Sequence, residues 1–293
     1  MSNKFSGVGA ALITPFSKDL AIDFKTFERV LEHVAKGANY FVVQGTTGES
    51  ATTSMEEKHA LLEFVKTHNP KELPIVFGAG WNNTAEVISF INSVDFEGVD
   101  AILSASPHYN KPSQEGIYQH FKVIADEAPV PVILYNVPGR TASNISAATT
   151  LRLARHPNII GIKEASGDWQ QCIDIAANMP SDFLLISGDD LMTNSLITLG
   201  AVGVISVMAN PFPNAMQHMV SHALEGNFKA SNDALFKLIR VNHLMYQESN
   251  PVGAKEAMRL LGICENYVRM PLIPASVALS AELSGVIEQY QLN

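Results

Sequence analysis

Basic charge is scarce in this sequence. Lysine and arginine number 20 against 29 aspartates and glutamates, a formal net charge of −9. No basic cluster stands out, so a nucleic-acid partner is not expected. Small anionic substrates stay open, because a single local lysine or arginine decides those. Cysteine is nearly absent too. Cys172 and Cys264 lie far apart with no CxxC, which makes a disulfide framework improbable and suits a reducing cytoplasm. Apolar runs all fall well short of the roughly 20 residues that span a bilayer, so no membrane partner is expected. The opening stretch "MSNKFSGVGAALITPF" has one lysine and no long apolar region, so no signal peptide is read there.

Several site signatures are missing as well. No glycine-rich dinucleotide fingerprint follows the first apolar run, which weakens a doubly wound sheet. His218 and His222 have the spacing of a helical metal pair, but the glutamate of HExxH is absent and no third ligand is evident. A solvated helix face explains them better. Asn82-Asn83-Thr84 and Asn144-Ile145-Ser146 fit the glycosylation pattern, which carries no meaning in a cytoplasmic chain.

What is present is a rhythm. Hydrophobic residues make up 46% of 293, enough for one large domain or two modest ones. Short runs rich in Val and Ile read as buried parallel strands at residues 8–13, 40–43, 75–77, 101–103, 132–135, 159–163, 183–186 and 202–206. Between them lie stretches with helical spacing, among them 24–35, 55–67, 84–94, 113–127 and 146–154. Eight such units predict an α/β fold, a (β/α)8 TIM barrel. After about Gly226 the strands cease. Residues 228–247, 252–261 and 276–289 read as helices broken by "SNP" and "MPLIP". The expected division is a catalytic barrel over 1–226 and a C-terminal helical subdomain over 227–293.

In such a barrel the chemistry gathers where strands end. The second strand runs into "QGTTGES", the fourth into "SASPHYNKP", the fifth into "LYNVPGRT", the sixth ends on Lys163, and the seventh runs into "SGDD". A strand-end lysine ordinarily snorkels to water. With water removed, its neutral amine is favoured and attacks carbonyls to form a Schiff base. Tyr135, alone, reads as a packed strand aromatic; beside Lys163 and Arg140 it reads as a proton shuttle. "GTTGES" sets two hydroxyls between glycines, where backbone N–H groups can hold a carboxylate. No GK[ST] follows, so it is no phosphate loop. As a plain polar loop, it would place Ser50 or Thr52 near a helix N-cap. Arg140 is either a turn arginine or a bidentate carboxylate ligand. Asp189 and Asp190 are a carboxylate pair or simply suit a helix start.

Together "GTTGES", "PHYNKP", "YNVPGRT", "GIKEASGD" and "SGDD" resemble, in order and spacing, the 4-hydroxy-tetrahydrodipicolinate synthase family of pyruvate-dependent class I aldolases. The resemblance runs from about Gly7 to the C-terminus, through "NPVGAKEAMRLLG" and "RMPLIP". It implies a lysine-biosynthetic enzyme in which Lys163 forms an imine with pyruvate. Thr46 and Thr47 would bind the pyruvate carboxylate. Tyr135 would assist proton transfers, linked through Thr47 to Tyr109, which reaches in from a neighbouring subunit. Arg140 would hold the carboxylate of aspartate-4-semialdehyde, while Gly188 and Ile205 shape the imine pocket. It implies no metal or organic cofactor, since the imine on Lys163 is the electron sink. It also implies a homo-oligomer, a tetramer built as a dimer of dimers. N-acetylneuraminate lyases resemble the same frame but carry Ser-Thr in place of Thr46-Thr47 and lack the arginine, so Arg140 discriminates. A related keto-acid aldolase is the alternative; a non-catalytic keto-acid-binding barrel is a third.

A candidate allosteric set departs from the family. Ser50, Ala51, Asn82 and Glu86 match the site through which lysine inhibits regulated members. His108 replaces a tyrosine there, and Met55 and Lys58 stand where histidines are expected. A cationic Lys58 repels lysine's ammonium groups, so weak or absent feedback is expected.

Overall fold

A computed structural model describes residues 4–291; the outermost residues of the two expected domains, 1–3 and 292–293, lie outside the described residues. Eight parallel strands close into a barrel in chain order. They are β1 Gly7–Ala11, β2 Tyr40–Val43, β3 Ile75–Gly78, β4 Ala101–Ala105, β5 Val132–Asn136, β6 Ile159–Glu164, β7 Leu184–Ser187 and β8 Gly203–Ser206. Each lies within two residues of the run read from the sequence. Strands enclosed on both faces can be apolar throughout, and Phe41, Val42, Ile102, Ile133 and Leu185 are all fully buried.

The helices are α1 Phe24–Val34, α2 Met55–His68, α3 Thr84–Ser93, α4 Gln114–Glu127, α5 Pro138–Thr141, α6 Ala147–Leu153, α7 Trp169–Asn178, α8 Thr193–Thr198, α9 Pro213–Leu224, α10 Phe228–Gln247, α11 Val252–Leu260 and α12 Val277–Tyr290. Their starts are written locally. Asp23, Ser54, Asn83, Ser113, Ser146, Asp168, Asn227 and Ser276 each accept a backbone N–H of the first turn. Ser54 and Glu57 make a full capping box on α2, so the cap falls on Ser54 and not on Ser50 or Thr52. In α1, Phe27, Val30, Leu31 and Val34 form the buried stripe that 3.6-residue periodicity requires.

Register decides which residues stand side by side. Val132 pairs with Ile159, but Ile133 pairs with Gly161, so Ile160 is an extra residue in β6. Beyond this bulge Leu134 meets Ile162, Tyr135 meets Lys163 and Asn136 meets Glu164. Without the shift Tyr135 would face Ile162. One inserted residue therefore brings the tyrosine and the lysine into one row.

Among the described residues the chain forms two compact units: 4–74 with 206–291, and 75–205. Helices α10 to α12 belong to the first unit. No strand follows β8 among the described residues. No described helix is long and apolar enough to cross a membrane.

Candidate active site

In the 75–205 unit, Lys163 is only 5% exposed. Its Nζ lies 4.2 Å from the centroid of the Tyr135 ring. No carboxylate, carbonyl or hydroxyl accepts from Nζ among the described residues. A buried strand-end amine with no acceptor is a candidate nucleophile.

The backbone around this lysine is crowded. A Cβ on Gly188 would stand 2.7 Å from Ala165 Cβ and 3.1 Å from Lys163 Cγ. Gly188 N also donates to Glu164 O at 2.7 Å. Glycine is thus required there so that the chain leaving β7 can press against the lysine stem. Ile205 is buried in β8.

Glu164, the residue after Lys163, is a buried hub. Its carboxylate accepts from Asn136 Nδ2 at 3.0 and 3.2 Å, Gln171 Nε2 at 3.0 Å and Ser166 N at 2.6 Å. Asn136 in turn donates to Asn144 Oδ1 and accepts from Ile145 N. These amides satisfy the acceptors of a buried carboxylate, and they lock β5, β6 and α7 beside the Tyr135–Lys163 row.

The loops after β4 and β5 are joined to each other. Tyr109 N donates to Thr141 O at 3.1 Å, and Ser106 and Ser143 share a hydroxyl contact of 2.8 Å. Tyr109 is 83% exposed and holds φ 71, a left-handed conformation that a tyrosine rarely adopts. Arg140 is exposed on the one-turn helix α5, and its guanidinium has no partner among the described residues. Asn82 O accepts from Asn110 Nδ2 at 3.3 Å, which brings the Asn82 loop to the His108–Tyr109 segment. His108 and Glu86 are exposed, and Glu86 accepts from Asn83 Nδ2.

In the other unit, Thr46–Gly48 is a short 3-10 helix directly after β2. Two residues beside it adopt left-handed φ, Gln44 at 60° and Glu49 at 54°. Side chains hold them there. Gln44 Nε2 donates to Thr14 Oγ1 and Gly48 O, while its Oε1 accepts from Thr53 Oγ1. Glu49 accepts from Lys255 Nζ at 2.6 Å and from Arg269 N at 3.0 Å. The N–H groups of Thr46 and Thr47 meet no acceptor among the described residues, which leaves two adjacent donors for an anion. Thr47 Oγ1 accepts from Asn250 Nδ2 at 3.1 Å. Ser50 is half-buried and Ala51 exposed. Lys58 turns inward: its Nζ donates to Ser50 O, Thr53 O and Thr53 Oγ1, and burial pushes its ammonium below the ordinary lysine range.

The weaker candidates stay outside these clusters. Asp189 Oδ1 accepts from Leu191 N and Met192 N, the turn-forming role expected of an acid ahead of a helix. His218 and His222 stack edge to face at 4.4 Å, and no group of three His, Cys, Asp or Glu side chains able to hold a metal occurs among the described residues. Glu164, Asn250 and Lys255 were missed because a buried acid, amide or base looks in sequence like any surface one.

The fold and site together define a (β/α)8 barrel with a candidate amine nucleophile on its sixth strand. The pattern of the Dihydrodipicolinate synthetase family matches residues 4–290. The 4-hydroxy-tetrahydrodipicolinate synthase of Cytophaga hutchinsonii is 51% identical over 286 residues, covering 97% of this chain and 95% of that one. The dihydrodipicolinate synthase of Thermotoga maritima superposes with a TM-score of 0.96 at 35% identity, covering 99% and 100%. The chloride-inhibited enzyme of Acinetobacter baumannii, solved with pyruvate, gives 0.94 at 37%, covering 98% and 99%. This chain belongs to the dihydrodipicolinate synthetase family.

Proposed function

We propose that the protein is a 4-hydroxy-tetrahydrodipicolinate synthase, a lyase condensing pyruvate with L-aspartate-4-semialdehyde in the diaminopimelate route to lysine. One observation carries the chemistry: a buried strand lysine with no acceptor among the described residues, registered against Tyr135. The Lys163 amine attacks the pyruvate keto carbon and water leaves, giving an imine. The imine withdraws electrons, so a methyl proton is lost and an enamine forms. Tyr135 carries protons in these steps, worth on the order of 10²–10⁴-fold. The enamine carbon bonds to the aldehyde carbon. The substrate's own amine then attacks the imine carbon, closes the ring and releases the lysine.

The donors of Thr46 and Thr47 are assigned the pyruvate carboxylate. Arg140, exposed and unpaired among the described residues, is assigned the semialdehyde carboxylate, where a planar fork binds best. Gly188 and Ile205 shape the imine pocket. The reaction as proposed takes no metal or organic cofactor, and the enzyme acts in the cytoplasm. Tyr109, exposed here, completes the site of a neighbouring subunit in a homotetramer built as a dimer of dimers. Lysine feedback through Ser50, Ala51, Asn82, Glu86 and His108 is weak, and half-inhibition at micromolar or low-millimolar lysine would refute that. The activity itself is tested by supplying pyruvate with aspartate-4-semialdehyde, then N-acetylneuraminate alone. Turnover of the first pair only is expected; cleavage of the sugar acid instead would move the protein to a sister enzyme.

A further inference from the structure

The Thr47 hydroxyl has a fixed polarity, and its cause lies far away in sequence. Asn250 sits 203 residues downstream, 6% exposed, in the turn between α10 and α11. Its Nδ2 donates to Thr47 Oγ1 at 3.1 Å. A hydroxyl has one proton and two lone pairs. Asn250 occupies a lone pair, so the Thr47 proton must point elsewhere, and it finds no acceptor among the described residues. The turn that presents Asn250 is held under strain, with Ser249 at φ 85. Asn250 Oδ1 is itself buried with no hydrogen-bond partner among the described residues, a costly placement for a residue that only packs.

A second tie runs between the same two segments. Glu49, two residues beyond Thr47, is ion-paired with Lys255, five residues beyond Asn250, and Lys255 Nζ also donates to Tyr267 O at 2.7 Å. The pair holds the loop while the amide sets the direction of the hydroxyl.

We propose that Asn250 is a positioning residue for the reaction, fixing the Thr47 hydroxyl as a hydrogen-bond donor toward the bound keto acid. This rests on the assignment of Thr47 to pyruvate. A carboxylate only accepts hydrogen bonds, so a threonine whose acceptor role is already filled has the polarity that ligand needs.

The test inverts the polarity. In Asn250→Asp an ionised carboxylate accepts the Thr47 proton and turns it away from pyruvate. Its kcat/KM for pyruvate, taken as a ratio to the unmodified enzyme at each pH, falls by about 10- to 100-fold near pH 8, the range for a hydrogen bond to a charged group. The ratio recovers as pH drops, because the protonated carboxyl again donates to Thr47. A ratio that stays flat with pH overturns the proposal. A cycle with Thr47→Val and Asn250→Ala covers the case in which the aspartate variant does not fold. Once Thr47 has lost its hydroxyl, Asn250→Ala costs less than about twofold more. Fully additive losses overturn the proposal. Borohydride trapping of pyruvate on the unmodified protein is run alongside. An adduct on Lys163 upholds the Schiff-base reading whatever Asn250 does, and its absence removes that reading independently.

Discussion

Two lysines in this molecule sit 4.2 Å from an aromatic centroid, Lys163 over Tyr135 in one compact unit and Lys255 over Phe16 in the other. Lys255 is 0% exposed and bonded to Glu49 and Tyr267 O. Lys163 is nearly as buried and has no acceptor among the described residues. Burial and a ring are common to both, so neither marks a reactive amine. The missing acceptor, among the described residues, is what sets Lys163 apart. Burial pushes the Lys255 ammonium down while Glu49 pulls it up, and the contact is structural. Lys58 is a third case, its ammonium held by three oxygens of its own loop.

The largest effect that could break this contrast is loss of the proposed nucleophile. Lys163→Met should lower turnover by at least about 10⁴-fold, the scale on which removing a covalent nucleophile acts, while thermal unfolding stays cooperative. Residual activity within about tenfold of the unmodified protein would mean that another group does the chemistry.

Next comes Lys255→Met, which leaves the Glu49 carboxylate buried and unpaired. Urea unfolding should show a loss of about 3–5 kcal/mol, much of it regained in the Lys255→Met/Glu49→Leu double variant. A loss below about 1 kcal/mol would remove the structural half of the comparison.

His120 shows what burial does to a base with no charged partner. Its Nδ1 contacts Thr84 Oγ1 at 2.8 Å, its Nε2 is buried without a partner among the described residues, and desolvation pushes it from 6.5 down to about 4. The folded value lies below the unfolded one. Its contribution is therefore fully present above pH 6.5 and lost as pH falls through about 4. Between pH 7 and pH 4 the unmodified protein should lose more stability than His120→Gln, by on the order of 3 kcal/mol. Parallel pH profiles would contradict this.

The smallest effect expected is at Arg140. Arg140→Ala should cost about 10- to 100-fold in kcat/KM for the semialdehyde, as for a lost charge-assisted hydrogen bond, with pyruvate imine formation nearly unchanged. Equal loss in both steps would sink the assigned role.

The sequence made the strands legible because each is a short apolar run closed by turn residues, as in β2, where Tyr40–Val43 falls where it was read. Long helices such as α10 were legible through their periodicity. Helices α7 to α9 were not bounded. Among them α8 spans only six residues, with no side-chain cap to mark its start. Lys163, Tyr135 and Arg140 could be singled out as candidates because strand ends are where a barrel exposes chemistry. The bulge at Ile160, which gives Tyr135 its partner, leaves no mark in a run of isoleucines. Contacts such as Thr47–Asn250 and Glu49–Lys255 span more than two hundred residues, 203 and 206, and no local pattern announces them.

The contrast between the buried lysines is tested most directly by borohydride reduction with pyruvate, followed by peptide mass analysis of every lysine. The account predicts a pyruvate adduct on Lys163 and unmodified Lys58 and Lys255. An adduct on either of those two, or none on Lys163, would contradict it.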